Sequence, residues 1–268
     1  MTSNIFQLET TAGSFRVAVD GADNAPALVL SNSLGTTLEM WDPQVEALTK
    51  QYRLIRYDTR GHGGSPITQG PYRFEQLAAD VIAILDALNV KTAAFCGVSM
   101  GGHTGLRLGL DAAERFNAIV VCNSAAKIGT VEAWQQRADF LRQQGQDAIK
   151  ELASSAPERW FTADFIEQHS EVVETMQAQF AALDPEGYAA CCDALGQSDL
   201  RADIHQITVP TLLVAGQFDP VTTVSDAETM QAEIAGSTIA VLAASHISNV
   251  EAADKFTETL ISFIESTK

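Results

Sequence analysis

Short apolar runs alternate with longer segments of helical periodicity along most of this 268-residue chain. The first thirty residues contain three β-rich runs separated by turns with Gly or Pro, namely IFQLET, SFRVAVD and PALVLSN. Further on, helix-period segments lead into continuous apolar runs, as FEQLAADVIAILDALNV leads into TAAFCGV. Apolar strands that alternate with helices are typical of a sheet covered on both faces. The pattern therefore predicts an α/β fold, with a mostly parallel central sheet flanked by helices.

The alternation stops between residues 130 and 203, a polar segment that is rich in helical pattern and has no convincing strand. An all-helical insertion between two strands of such a sheet is most simply a lid over its ligand-binding edge. We therefore predict a core formed by residues 1–129 and 204–268, and a helical cap formed by residues 130–203.

A lone hydroxyl lies where one apolar run ends and a helix begins, at Ser99 in the stretch CGVSMGG. Gly97 and Gly101 flank it as in the G-x-S-x-G nucleophile elbow. This elbow is a tight, strained turn, and bulk at the two glycine positions would clash with neighbouring elements. The pentapeptide alone is weak evidence, because glycine and serine often occur together by chance. The strand before it and the helix after it lead us to predict Ser99 as a catalytic nucleophile.

A serine nucleophile needs a base to take its proton and an acid to orient that base. Asp219 follows the apolar run TLLVAG and His246 follows STIAVLA, so both lie at the carboxyl ends of predicted strands, where open α/β sheets bind ligands. The order Ser, Asp, His is the one expected with a nucleophile elbow. Asp203 is an alternative acid, but it precedes its strand and falls at the wrong edge. We predict Asp219 as the acid and His246 as the base.

Four other histidines are weaker candidates for the base. His62 lies in the glycine-rich loop DTRGHGGS, for which a position near the pocket stays open but a role in loop structure is expected. His103 lies four residues after Ser99, where packing or an indirect role is expected. His169 and His205 have polar surroundings and are predicted at the surface.

Two backbone amides are predicted to hold the oxyanion. The amide of Met100 is free at the start of a helix, where the helix dipole favours negative charge. The second donor is expected in the loop LSNSLGTTLEMW, after the third strand. We assign it to the amide of Leu34, with Gly35 permitting the turn.

Composition and charge limit the classes of partner that this protein is expected to bind. The net charge of −17 argues against nucleic acid and anionic membranes. No apolar run reaches the roughly 18 residues of a membrane span, and the N-terminus has no secretory pattern, so a cytoplasmic location is expected by default. The four cysteines, at 96, 122, 191 and 192, have no zinc-type spacing and are expected to be reduced. The sequence assigns no role to the adjacent pair Cys191 and Cys192, and leaves a homo-oligomer open.

Several stretches together resemble the α/β-hydrolase superfamily, across nearly the whole chain: GVSMGG, YDTRGHGGS, LLVAGQFDPVT and ASHISNVEAADKF. More narrowly, SNSLGTTLEMWDPQ, YDTRGHGGSPITQGPY and NSAAKIGTVEAWQQR look like 3-oxoadipate enol-lactonases. Asn32 and Ser33 stand where many esterases carry His-Gly, and His103 stands where a small or apolar residue would be expected.

The resemblance implies the hydrolysis of an enol-lactone in the bacterial catabolism of aromatic acids, with no metal or organic cofactor. A substrate of this kind carries a carboxylate, so a cationic or donor-rich pocket is expected. Trp134 and Arg137 are the candidates for it, because a spacing of three puts them on one face of the first cap helix. Packing of Trp134 against the core and a solvated Arg137 are the alternatives. Arg60 is expected to bind loop carbonyls or acids.

Other functions stay open at this point. A general carboxylesterase, a cofactor-free perhydrolase or a carbon–carbon bond hydrolase would use the same serine chemistry. A serine nucleophile disfavours dehalogenases and epoxide hydrolases, in which an aspartate is expected. A ligand-binding protein without catalysis is the alternative from another class, and it would not need the full Ser-His-Asp set.

Overall fold

Residues 4–267, which the computed structural model describes, form one eight-stranded sheet with the strand order β1-β2-β4-β3-β5-β6-β7-β8. Strand β1 pairs antiparallel with β2, and β2 pairs antiparallel with β4, whereas the six strands from β3 to β8 are parallel. The predicted mostly parallel sheet is confirmed. The strands are β1 Ile5–Thr10, β2 Gly13–Asp20, β3 Ala27–Ser31, β4 Arg53–Tyr57, β5 Ala93–Val98, β6 Phe116–Cys122, β7 Thr211–Gly216 and β8 Thr238–Leu242.

Helices connect the parallel strands, and the described residues contain twelve α-helices and three short 3-10 helices. The α-helices are α1 Asp42–Leu48, α2 Phe74–Ala87, α3 Met100–Asp111, α4 Val131–Gln144, α5 Gln146–Ser155, α6 Pro157–Trp160, α7 Ala163–Gln168, α8 Ser170–Ala181, α9 Pro185–Gln197, α10 Val224–Glu233, α11 Ser248–Glu251 and α12 Ala253–Ser266. The 3-10 helices are Leu38–Trp41, Ala113–Arg115 and Ile204–Gln206.

The sheet separates two apolar clusters, and strand β5 contributes to both. Every residue of β5 is buried. Because side chains alternate across a strand, Ala94 and Cys96 pack into one cluster while Ala93 and Phe95 pack into the other. A strand that is covered on both faces explains the continuous apolar run in the sequence.

Six helices, α4 to α9, lie between strands β6 and β7, and we call them the cap helices. Helix α4 packs closely against α9, and the Arg142 guanidinium of α4 pairs with Glu186 and Asp193 of α9. Thr130 accepts a hydrogen bond from the Ala133 amide at the start of α4. The function of this segment as a cap stays a prediction. The first three residues and the last residue of the predicted core lie outside the described residues.

Between residues 4 and 267, no helix has the length and apolar character that a membrane crossing requires.

Candidate active site

Ser99 occupies a tight turn between β5 and α3. Its backbone has φ 56° and ψ −114°, a positive φ that residues with a side chain rarely adopt. A β-carbon at Gly97 would lie 2.2 Å from the Gly101 carbonyl oxygen, and one at Gly101 would lie 2.3 Å from the Ser31 carbonyl oxygen. Both glycines are therefore required by the close approach of backbone to backbone, as the elbow motif predicts.

A continuous hydrogen-bonded chain joins Ser99, His246 and Asp219. The Ser99 hydroxyl lies 2.9 Å from His246 Nε2, and His246 Nδ1 lies 2.8 Å from the Asp219 carboxylate. The three residues are 4–7% exposed. Because an ionised carboxylate can only accept, Nδ1 of His246 carries the proton and Nε2 is left to accept from the serine hydroxyl. This arrangement can withdraw a proton from Ser99 as its oxygen attacks a carbonyl carbon.

The Asp219 carboxylate has several donors besides His246. Its Oδ1 accepts from the amides of Val221 at 2.7 Å and Thr222 at 3.1 Å. Its Oδ2 accepts from the Thr222 hydroxyl at 2.9 Å and from Asn123 Nδ2 at 3.0 Å. Burial by itself would raise the pKa of Asp219, but the bonds from His246, Asn123 and Thr222 outweigh it and hold the pKa below its usual value. Asp219 is therefore ionised in the folded protein at neutral pH.

Asn123 is a site residue that the sequence analysis missed. It follows β6 directly, with a positive φ of 44°, and donates to both Asp219 and the Ser245 carbonyl oxygen, which precedes His246. It thereby ties the Asp219 carboxylate to the loop that carries His246. A polar residue immediately after an apolar strand was the available signal, because such positions lie at the same sheet edge as Ser99.

The amides of Leu34 and Met100 have no protein acceptor among the described residues. Met100 is the first residue of α3, where helical amides lack partners within the helix. Leu34 lies in a turn that is closed by a hydrogen bond from the Thr36 amide to the Ser33 carbonyl oxygen, at 3.2 Å. Both amides are thus available to a bound oxyanion.

A cavity of about 210 Å³ opens onto Ser99 and His246. The core contributes Leu34 and Ser33 to its lining, and most of the remaining wall comes from the cap helices. The residues that the cap helices contribute are Ala133, Trp134, Arg137, Arg159, Trp160, Phe180, Tyr188 and Leu195. A largely apolar cavity with a few charged groups is typical of a small-molecule site.

Two guanidinium groups line this cavity. The Arg137 guanidinium lies 4.9 Å from the centroid of the Trp134 ring, and the Trp134 indole donates to the Ile128 carbonyl oxygen at 2.6 Å. Burial, and then the charge of Arg137, lower the pKa of Arg159. Within the described part of the chain, no carboxylate lies within 4.0 Å of either guanidinium. The cavity therefore carries positive charge, for which residues 4–267 provide no carboxylate partner within 4.0 Å.

Trp134 and Arg137 lie at the cavity where the sequence analysis predicted a pocket lining, whereas Arg159 was missed. Arg159 belongs to α6, a helix of four residues. So short an element has no periodicity that could assign a face to its side chains.

The other histidines lie away from the triad. His103 is buried in α3, where Nδ1 lies 2.8 Å from the Ala125 carbonyl oxygen and Nε2 lies 2.7 Å from the Ser198 hydroxyl. His169 and His205 are exposed. His103 is therefore packed in the interior of the protein, as the sequence predicted.

Among the described residues, neither the cysteines nor the carboxylates form a metal or disulfide site. All four cysteines are buried free thiols. Arg60, expected to bind loop carbonyls or acids, pairs with Asp80 and donates to the Ala12 carbonyl oxygen. Over residues 4–267, no three His, Cys, Asp or Glu side chains cluster as metal ligands would.

This chain is similar to known hydrolases in both sequence and structure. The chain is 47% identical over 256 residues to 3-oxoadipate enol-lactonase 2 of Acinetobacter baylyi, covering 94% of this chain and 95% of that protein. The crystal structure of the enol-lactonase from Burkholderia xenovorans LB400 superimposes with a TM-score of 0.92 at 43% identity, covering 96% of this chain and 98% of that one. A hydrolase from Pseudomonas aeruginosa PA01 also has a TM-score of 0.92, at 40% identity over 97% and 98% of the two chains. The family model for the alpha/beta hydrolase fold matches residues 26–253. The chain belongs to the alpha/beta hydrolase family.

Proposed function

We propose that this protein is a serine hydrolase that opens the enol-lactone of 3-oxoadipate in the catabolism of aromatic acids. The observation that carries the proposal is the hydrogen-bonded chain Ser99–His246–Asp219 at a cavity with two guanidinium groups, neither of which has a carboxylate partner among the described residues. The similarity to an enol-lactonase over nearly the whole chain supports this substrate over a simple ester.

The first half of the reaction forms an acyl-enzyme. His246 takes the proton of Ser99, and the serine oxygen attacks the lactone carbonyl carbon. The amides of Leu34 and Met100 stabilise the oxyanion. Collapse of this intermediate breaks the ring carbon–oxygen bond, and the imidazolium returns a proton to the enolate that leaves. Because the lactone is cyclic, the leaving group stays attached to the acyl chain on Ser99.

The second half is hydrolysis of the acyl-enzyme. His246 now takes a proton from water, which attacks the ester carbonyl, and the proton passes to Ser99 as it leaves. Asp219 keeps Nδ1 of His246 protonated and stabilises the imidazolium in both halves. The enol becomes a ketone, so that the product is 3-oxoadipate.

The substrate carboxylate is proposed to lie against Arg137 and Arg159. A guanidinium pairs with a carboxylate through two parallel hydrogen bonds, and it does so more strongly in a partly buried site. Trp134 holds Arg137 by stacking under it. We propose that residues 130–203 act as a cap in this sense: they place the recognition groups opposite the nucleophile of the core.

A substrate comparison tests the proposal. We expect kcat/KM for the enol-lactone, measured by loss of its ultraviolet absorbance, to exceed the values for a panel of p-nitrophenyl esters. The Ser99→Ala variant is the blank for both assays. Much faster turnover of the simple esters would reject the enol-lactone as substrate and leave a general carboxylesterase. Failure of a serine-directed organophosphonate to label Ser99 would reject a serine hydrolase altogether.

A further inference from the structure

The loop that carries the Leu34 amide is held by a contact outside the catalytic triad. Residues Ser33 to Thr36 form a turn in which Gly35 has a φ of +85°, a conformation that favours glycine. The Thr36 amide donates within the turn, and the Leu34 amide has no acceptor in the part of the protein that the structure describes. The third amide, that of Gly35, donates to Nε2 of His62 at 2.9 Å.

His62 is placed to act only as an acceptor at this nitrogen. Its side chain is buried, with the residue 1% exposed, and burial lowers its pKa to about 4. Nδ1 faces the Arg60 carbonyl oxygen at 3.5 Å and the Cys191 sulfur at 3.9 Å. The neutral tautomer with its proton on Nδ1 leaves Nε2 free to accept, which matches the Gly35 contact. The imidazole packs near Tyr188 of α9, with ring centroids 6.0 Å apart.

We propose that His62 is a positioning residue that accepts from the Gly35 amide and so holds the turn from Ser33 to Thr36 in place, which keeps the Leu34 amide of that turn aimed at the oxyanion. The inference deepens the proposed acyl transfer and rests on it. Without the His62 acceptor, the Gly35 amide would lose its only partner in the described structure, and the turn from Ser33 to Thr36 would lose a contact that holds it, so that the turn could shift as a whole. An oxyanion donor is effective because it is held in place before charge develops, so a loop that rearranges would lose transition-state stabilisation.

Variants at position 62 distinguish the loss of the hydrogen-bond acceptor from the loss of ring packing. His62→Phe keeps a ring and removes the acceptor, whereas His62→Gln places an amide oxygen near the position of Nε2. We expect kcat of His62→Phe to fall by about 10- to 100-fold, less than the loss of an entire oxyanion donor. KM should change little, and His62→Gln should recover most of kcat. The affinity for phenylboronic acid, whose tetrahedral adduct on serine mimics the oxyanion, should fall in parallel with kcat.

His103→Phe is the matched control, because it removes an equally buried imidazole that contacts Ala125 and Ser198 instead of the oxyanion loop. It should lower the melting temperature but retain boronate affinity. An unchanged kcat in His62→Phe would overturn the proposal, and so would equal losses in folded His62→Gln and His62→Phe. If His62→Phe does not fold, His62→Asn replaces it, since its shorter side chain cannot reach Gly35. Equal activity of the Gln and Asn variants would then overturn the proposal.

All these variants are assayed on p-nitrophenyl acetate as well as on the enol-lactone. The oxyanion is common to both substrates, so the same loss is expected for each. If the wild-type protein cleaves only the p-nitrophenyl ester, the proposed substrate is wrong while the role of His62 is still decided on the ester.

Discussion

Nε2 of His246 lies 2.9 Å from the hydroxyl oxygen of Ser99, although 147 positions of sequence separate the two residues. Ser99 directly follows β5, and His246 lies four residues beyond the end of β8. Strands β6 and β7 lie between them in the sheet. The contact is possible because the parallel strands all end at one edge, where loops bring distant side chains together.

The positive φ of Ser99 should lower the free energy of unfolding. Replacing Ser99 by Ala removes the nucleophile and keeps the positive φ, whereas Gly removes both the nucleophile and the strain. We expect both variants to lose at least about 10⁴-fold in kcat. The Gly variant should be about 1 kcal/mol more stable than the Ala variant, because relief of strain exceeds the extra entropy of glycine in the unfolded chain. Urea unfolding of the two proteins measures the difference, and a less stable Gly variant would show that the elbow is not strained.

Asp219→Asn keeps the size of the acid and removes its charge. The amide cannot hold His246 in the tautomer that accepts from Ser99, so kcat should fall by about 10⁴-fold with little change in KM. Asp203→Asn is the matched control, because Asp203 precedes β7 and lies at the opposite edge of the sheet. Steady-state kinetics on both variants decides the point. Equal losses in the two would contradict the assignment of Asp219 as the acid.

Arg137→Met and Arg159→Met should weaken recognition of a carboxylate. Loss of a charged hydrogen bond costs about 1.5–3 kcal/mol, so KM for the enol-lactone should rise by about 10- to 100-fold in each variant. The neutral substrate p-nitrophenyl acetate should show no such rise. Arg201→Met, which changes an exposed arginine outside the cavity, serves as the control. A similar rise in KM for the neutral ester would mean that the two arginines maintain the cavity and do not bind a carboxylate.

Two buried histidines should make stability depend on pH. Burial lowers the pKa of His62 and of His103 to about 4, from 6.5 in an exposed histidine. Between these values the unfolded chain binds more protons than the folded one, so acidification from pH 6.5 to 4 destabilises the protein. Above pH 6.5 these two residues contribute no pH dependence. Each should contribute up to about 1.4 kcal/mol per pH unit to the free energy of unfolding.

Urea unfolding at a series of pH values checks this dependence. His103→Phe should show a shallower fall in stability between pH 6.5 and 4 than the wild-type protein. His205→Gln, at an exposed position, should keep the wild-type slope. Identical slopes for all three proteins would show that His103 takes up a proton as readily in the folded chain as in the unfolded one.

The parts of the site that the sequence predicted depend on local patterns. An apolar run followed by glycines and a helix identifies the turn at Ser99, and strand ends identify Asp219 and His246. The Leu34 amide follows from its place after the third strand, although a backbone donor has no side-chain signature. The sheet could be predicted for the same reason, because burial on both faces leaves a continuous apolar run in each strand.

The parts that were missed depend on contacts between distant elements. Arg159 lines the cavity together with residues of other helices and of the core, and nothing within its short helix indicates that direction. The contact of His62 with Gly35 joins two loops that are 27 positions apart. Glycines around His62 gave a sufficient local explanation for that loop, so the sequence offered no reason to connect it with the oxyanion.

An acyl-enzyme on Ser99 is detected by the mass of the Ser99-containing peptide during turnover. The wild-type protein is mixed with the enol-lactone, quenched with acid within the first turnovers, digested and analysed by mass spectrometry. Because ring opening leaves the leaving group attached, we expect the peptide to gain the full mass of the lactone, and the gain to disappear as substrate is exhausted. Turnover with no adduct on Ser99, in a protein whose Ser99→Ala variant stays active, would contradict this expectation.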